Sequence, residues 1–185
     1  MDSEKLIHYL ETIDSYLSGE VEIYLYGSCA QMLLGEELRT SLDIDIAGPY
    51  CSGRLQEFRK AAEKAGLPIN PGFSYQGDHI EWIGPLRLPL PQPNPESDIV
   101  LWQGDCLTVR SVSPAHLIAS KLIRYDESDM ADIRFVLENA RISYTEICES
   151  VDELPKQFRN DPVLKDNLKS LKTDMMFWEG HNDEP

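Results

Sequence analysis

Two nearby segments decide the reading of this chain: Tyr26-Gly27-Ser28-Cys29-Ala30 and Arg39-Thr40-Ser41-Leu42-Asp43-Ile44-Asp45-Ile46. In the second, aliphatic residues alternate with Asp43 and Asp45, the period-two pattern of a strand with one buried face. Both carboxylates therefore project to the same side, where they repel each other unless something positive sits between them. A hard divalent cation such as Mg²⁺ is the natural counter-charge, since it takes oxygen ligands and is commonly held by one or two carboxylates plus substrate phosphates. The first segment ends another alternating run, Val21-Glu22-Ile23-Tyr24-Leu25-Tyr26, and opens a short helix through Ala30, Met32, Leu33 and Leu34 that stops at Gly35. A Gly27-Ser28 bend at that place offers backbone N–H groups and a hydroxyl to a phosphate. Paired carboxylates near an anion cradle are what phosphoryl or nucleotidyl transfer needs.

Outward from this centre, Leu6, Ile7, Leu10, Ile13 and Leu17 recur at helical spacing before Gly19. Residues 52–65 read as a second helix, with Leu55, Phe58, Ala62 and Ala65 on one face and Gly66 as the stop. The stretch from Pro68 to Pro95 is rich in proline, and Pro89 to Pro95 excludes helix and central strand. Within it His79-Ile80-Glu81-Trp82-Ile83 reads as a strand; residues 99–102 and 107–110 read as two more around a Gly104-Asp105 turn. From Ser113-Pro114, an N-cap followed by proline at the first helical position, the chain turns helical: residues 114–122, 126–140, 144–154 and 162–177, with a frayed tail from His181 to Pro185. The expected fold is α/β (α+β): a small mixed sheet packed by helices over residues 1–112, then a helical region over 113–185.

Composition narrows the function. With 185 residues and 42% of them hydrophobic, the chain can bury a real core. Lys plus Arg is 17 against 32 Asp plus Glu, a net charge of −15, which argues against binding long nucleic acid. It leaves room for one local basic pocket around a nucleotide. No apolar stretch approaches the roughly 18–20 residues a bilayer span needs, and the acidic start lacks an apolar leader. Cys29, Cys51, Cys106 and Cys148 are scattered without metal spacing, so they read as free thiols acting as small hydrophobes. A soluble, cytoplasmic protein without a membrane partner is expected.

The Gly-Ser bend, the short helix and Arg-Thr-Ser-Leu-Asp-Ile-Asp-Ile together resemble the nucleotidyltransferase superfamily with the polymerase-beta-like fold, most of all the AbiEii-type toxin group and related nucleotidyltransferase-like proteins. A second stretch, Ser113-Pro114-Ala115-His116-Leu117-Ile118-Ala119-Ser120-Lys121-Leu122 with Arg124 to Ile133, matches that group's Ser-anchored helix with a Lys-Leu pair and acidic continuation. The two matches bracket residues from about 21 to 137. The resemblance implies that Gly27, Ser28, Arg39, Thr40 and Lys121 hold a nucleoside triphosphate, that Asp43 and Asp45 ligate Mg²⁺ (or Mn²⁺), and that Asp129 or Asp132 completes the polar wall or acts as a base. A third carboxylate from a later strand is expected; Glu81 is the first candidate and Asp98 the second. The implied activity transfers a nucleoside monophosphate to a protein, small-molecule or RNA-end acceptor, as in a toxin-like or defence-related protein, with a cognate partner protein as a further expectation.

Plainer readings stand beside these. Asp43 and Asp45 also fit a solvent-facing strand edge, Ser28 a simple helix cap, and Lys121 a snorkelling stem on an apolar helix. Asp126, Asp129 and Asp132 fit a solvated helix face with charge favouring the macrodipole. His79, His116, Trp82, Trp102 and Trp178 read as structural. The proline-rich insertion departs from the family pattern and carries the alternative function, a catalytically degenerate domain that binds a nucleotide or a partner protein without turnover.

Overall fold

The computed structural model describes residues 1–181, so the expected fraying falls, past His181, outside the described residues. The chain is a mixture of helices and strands and divides into two units, Met1–Leu88 with Pro93–Val112, and Pro89–Gln92 with the chain from Ser113 onward. The short 89–92 piece of the proline run thus belongs with the helical unit.

The first unit opens with α1 (Ser3–Ser15), capped by the Asp2 side chain accepting from the Lys5 N–H at 3.0 Å, and burying Leu6, Leu10 and Ile13. Then follow β1 (Val21–Tyr24), α2 (Gly27–Leu33), β2 (Asp43–Ala47), a 3-10 turn at Gly48–Tyr50, β3 (Ser52–Gly53), α3 (Leu55–Lys64), β4 (His79–Ile83), β5 (Ile99–Gln103) and β6 (Leu107–Ser111). Four strands make a mixed sheet in the order β3-β1-β6-β5, with β1 and β6 parallel and the two outer pairs antiparallel. β2 and β4 do not join it: they form their own parallel pair, joined to the end of β1 by a Leu25–Ile46 bridge and by the Tyr26 N–H donating to the Asp45 carbonyl at 3.2 Å. A parallel pair needs a crossover, and residues 48–78, which include α3, supply it.

The helix expected from residue 52 begins at Leu55. Gly53 sits at φ +86°, which breaks a helix, and Ser52-Gly53 instead pairs antiparallel with Val21-Glu22. The proline-rich stretch is used at the free side of β4. There the Asn70 amide oxygen accepts from the Trp82 N–H at 2.7 Å and its amide nitrogen donates to the Trp82 carbonyl at 3.2 Å, standing in for a neighbouring strand. The core of this unit gathers Leu6, Leu10, Ile13, Ile23, Ile44, Ile46, Phe58, Ile80, Leu107 and Val109.

The secondary structure of the second unit is all helix among its described residues: α4 (Pro114–Lys121), α5 (Glu127–Asn139), α6 (Tyr144–Glu153), α7 (Lys156–Arg159) and α8 (Pro162–His181). α7 was not expected, and α8 runs to His181 rather than stopping at Phe177. Its core is separate and includes Ile118, Leu122, Ile133, Val136, Ile147, Val151, Leu164 and Leu171. Local caps match the residue types: Ser113 accepts from the His116 N–H, and Ser143 and Glu146 form a reciprocal capping box at the start of α6. No described helix is long and apolar enough to cross a membrane.

Candidate functional site

The parallel register of β2 and β4 places Asp43 beside His79 and Asp45 beside Glu81. Ile44, Ile46 and Ile80 are essentially fully buried, so the intervening polar residues share the opposite face of the pair. Here one ligand atom from each of Asp43, His79 and Glu81 lies within 4.8 Å of the other two. That spacing suits one ion: with bonds of about 2.0–2.3 Å, ligands around a metal stand roughly 3–4.5 Å apart. All three residues are half-buried, which leaves the cluster open to an ion from solvent.

Asp45 is also fixed from the other side. Gly27 has φ +67°, and a Cβ placed on it would lie 2.6 Å from Asp45 Oδ2, so only glycine lets the carboxylate sit against this backbone. The next residue, Ser28, accepts with its hydroxyl oxygen from Arg39 Nε at 3.2 Å and Nη2 at 3.1 Å. Arg39 is thereby carried back to the first turn of α2 although it lies beyond the helix. The Ser41 hydroxyl donates to Asp43 Oδ1 at 2.7 Å and restrains that carboxylate. Cys29 is completely buried and donates its thiol to the Asp43 carbonyl at 3.1 Å. Burial, then the charges of Asp45, Glu81 and Asp43, push the Tyr26 phenol well above its ordinary value, with Arg87 acting in the opposite sense. One electrostatic neighbourhood therefore contains Tyr26, three carboxylates and Arg87.

The face opens into a cavity of about 390 Å³ that includes Phe73, Tyr75, His79, Glu81 and Arg87 in its wall. Arg87 pairs with Glu81 at 3.6 Å while its own side chain stays 76% exposed, a counter-ion at the solvent edge of the face. The Tyr75 ring meets the His79 ring edge-on, centroids 5.9 Å apart. His79 Nδ1 lies 3.0 Å from the Gly77 carbonyl oxygen, which can only accept, so Nδ1 carries the proton and Nε2 the lone pair in the neutral ring.

The residues expected from the sequence separate into two groups. Gly27, Ser28, Arg39, Asp43, Asp45 and Glu81 belong to this region of the first unit, with Thr40 exposed next to Arg39. Asp98 is used elsewhere: it accepts from the Tyr24 hydroxyl at 3.1 Å and from the Asn94 N–H at 2.9 Å. Lys121, Asp129 and Asp132 lie in the second unit. Lys121 Nζ pairs with both aspartates, 3.3 Å from Asp129 Oδ1, and Arg124 holds Asp129 through two further bonds of 2.8 and 3.0 Å. His79, read as structural, instead stands among the acids, and Arg87 and Tyr75 were not singled out. A signal for His79 was available: His79-Ile80-Glu81 repeats the alternation of Asp43-Ile44-Asp45, but only strand pairing shows that the two runs lie in register.

No family model matches the chain, and neither a curated protein nor a solved structure matches it.

Proposed function

We propose that the first unit is a metal-dependent nucleotidyltransferase of the polymerase-beta-like kind. The observation that carries the proposal is the β2–β4 register, which sets Asp43 and Asp45 beside His79 and Glu81 while Asp45 lies against the Gly27-Ser28 bend. Asp43 and Glu81, with Asp45 next to them on the same face of the strand pair, would hold a divalent ion, Mg²⁺ or Mn²⁺, and Asp43 and Glu81 would supply its carboxylate ligands; the ion would neutralise triphosphate charge. Arg39 and the Ser28 hydroxyl, already bonded to each other, present donors to phosphate oxygens, and Arg87 adds an exposed positive charge at the mouth. An acceptor hydroxyl forms a bond to the α-phosphorus in line with the bridging oxygen of the β-phosphate. That P–O bond breaks and pyrophosphate leaves, while the hydroxyl proton passes to solvent. Lys121 and Asp132 offset one another inside the helical unit and are assigned a structural role. The net charge of −15 favours a protein side chain or a small molecule as acceptor, with an RNA end as the nucleic-acid case.

The binding-only alternative draws on one observation: Ser28 and Asp43 already have internal partners in Arg39 and Ser41. Both readings meet the same experiment. The chain is incubated with Mg²⁺ or Mn²⁺ and each α-labelled nucleoside triphosphate, alone and with lysate, beside Asp43→Ala/Asp45→Ala. Label transfer by the wild type that the double variant loses by at least about a hundredfold, the usual scale for removing electrostatic stabilisation, supports the transferase. Equal labelling by both proteins rejects it; nucleotide binding without transfer favours the binding module.

A further inference from the structure

We infer that the ion at the β2–β4 face is a first-row divalent cation that accepts nitrogen, of the Mn²⁺ and Zn²⁺ kind, held by Asp43, the His79 imidazole and Glu81. The inference rests on reading this face as a metal site, and adds to it the class of the ion and a ligand that is not a carboxylate.

The donor set is mixed, two carboxylates and one imidazole whose ligand atoms lie within 4.8 Å of one another. Mg²⁺ prefers an all-oxygen octahedron and parts from its waters reluctantly. An imidazole in the sphere shifts preference towards Zn²⁺ and its first-row neighbours. His79 is prepared for this role by its surroundings. The Gly77 carbonyl at 3.0 Å fixes the proton on Nδ1, the outer-sphere bond that sets tautomer and ring orientation in metal-bound histidines. The edge-on contact with Tyr75 limits rotation of the ring. His79 sits directly opposite Asp43 in a parallel ladder, so its approach is set by backbone hydrogen bonding rather than by a flexible loop. The cavity bounded by His79, Glu81 and Arg87 gives an ion and its remaining ligands, water or phosphate oxygen, a way in. Two carboxylates and a neutral imidazole balance a divalent charge, which leaves Arg87 free to turn from Glu81 to an anion in the cavity.

The test uses the full chain, stripped of metal and free of nucleotide, loaded with Mn²⁺ alone. Electron spin-echo spectra of the bound ion report directly coordinated ¹⁴N. The inference expects that nitrogen signal, its replacement when histidine is supplied as the ¹⁵N isotope, and its loss in His79→Gln and in Asp43→Asn. His79→Gln should weaken Mn²⁺ binding by about tenfold or more, while Mg²⁺ competes with Mn²⁺ only in large excess. Isotope labelling of the wild-type chain answers the question even where a variant fails to fold. Tight Mn²⁺ binding without a nitrogen signal overturns the histidine ligand and leaves an all-oxygen site, with the transferase reading intact. No Mn²⁺ binding at millimolar ion overturns both.

Discussion

Cys29 donates its thiol to the Asp43 carbonyl from a completely buried position, and its acidity reports on the site. Burial, then the negative charges of Asp45 and Asp43, push the thiol well above its ordinary range. Burial likewise pushes the Cys51 thiol up to about 11. Neither thiolate is populated near neutrality, so iodoacetamide at pH 8 should leave both cysteines unmodified in the folded chain and alkylate both in urea, as peptide mass spectrometry will read. Gly27 makes a sharper case. Alanine there meets Asp45 Oδ2 at 2.6 Å and must hold φ +67°, so Gly27→Ala should cost about 1–3 kcal/mol in urea unfolding. The same variant should lose label transfer, because relief of the clash moves Asp45.

At the scale of elements, Asp14 near the end of α1 accepts from three successive backbone N–H groups at the β5–β6 turn: Asp105 at 2.9 Å, Cys106 at 2.9 Å and Leu107 at 2.6 Å. Burial works to raise its pKa, but the three donors together win and hold it below the ordinary carboxylate value. A carboxyl depressed in the folded state stabilises above its unfolded value and loses that contribution as pH falls through the folded one. Asp14→Asn, which turns an amide N–H towards those donors, should therefore cost about 2 kcal/mol at pH 7. Its gap from wild type should close as pH drops below about 4. In the helical unit, Lys121 is the ammonium partner of Asp132, a completely buried carboxylate. Lys121→Met should destabilise by roughly 3–5 kcal/mol, and Lys121→Met/Asp132→Leu should recover much of it. A double variant that folds like wild type but no longer binds nucleotide would instead give Lys121 a direct part in the site.

For the molecule as a whole, the charge of −15 acts as self-repulsion in every compact state. Salt screens it, so raising NaCl at neutral pH should increase the melting temperature. A gain of about 2–4 °C corresponds to ~1 kcal/mol in a chain of this size, and scanning fluorimetry will read it. A flat or falling profile would mean that local ion pairs such as Lys5–Asp78, at 2.7 Å, outweigh the net repulsion. The apolar burial is divided between two separate cores, one around Ile44, Ile80 and Phe58 and the other around Ile118, Ile133 and Leu171.

Much of this was legible along the chain because its causes are local. The alternation of Asp43-Ile44-Asp45-Ile46 marks β2, the spacing of Leu6, Leu10 and Ile13 marks α1, and Ser113-Pro114 marks the start of α4. Each depends only on a residue's near neighbours and on the period of the element. Ser52-Gly53 reads as helix along the chain because a two-residue strand has no period of its own and exists only by pairing with Val21-Glu22. The site divides in the same way. Local alternation alone places two carboxylates on one strand face near a glycine-serine bend. That His79 stands opposite Asp43 and that Asp98 bonds to Tyr24 emerges with the folded chain alone, because pairing partners and register follow from packing between segments far apart in the chain.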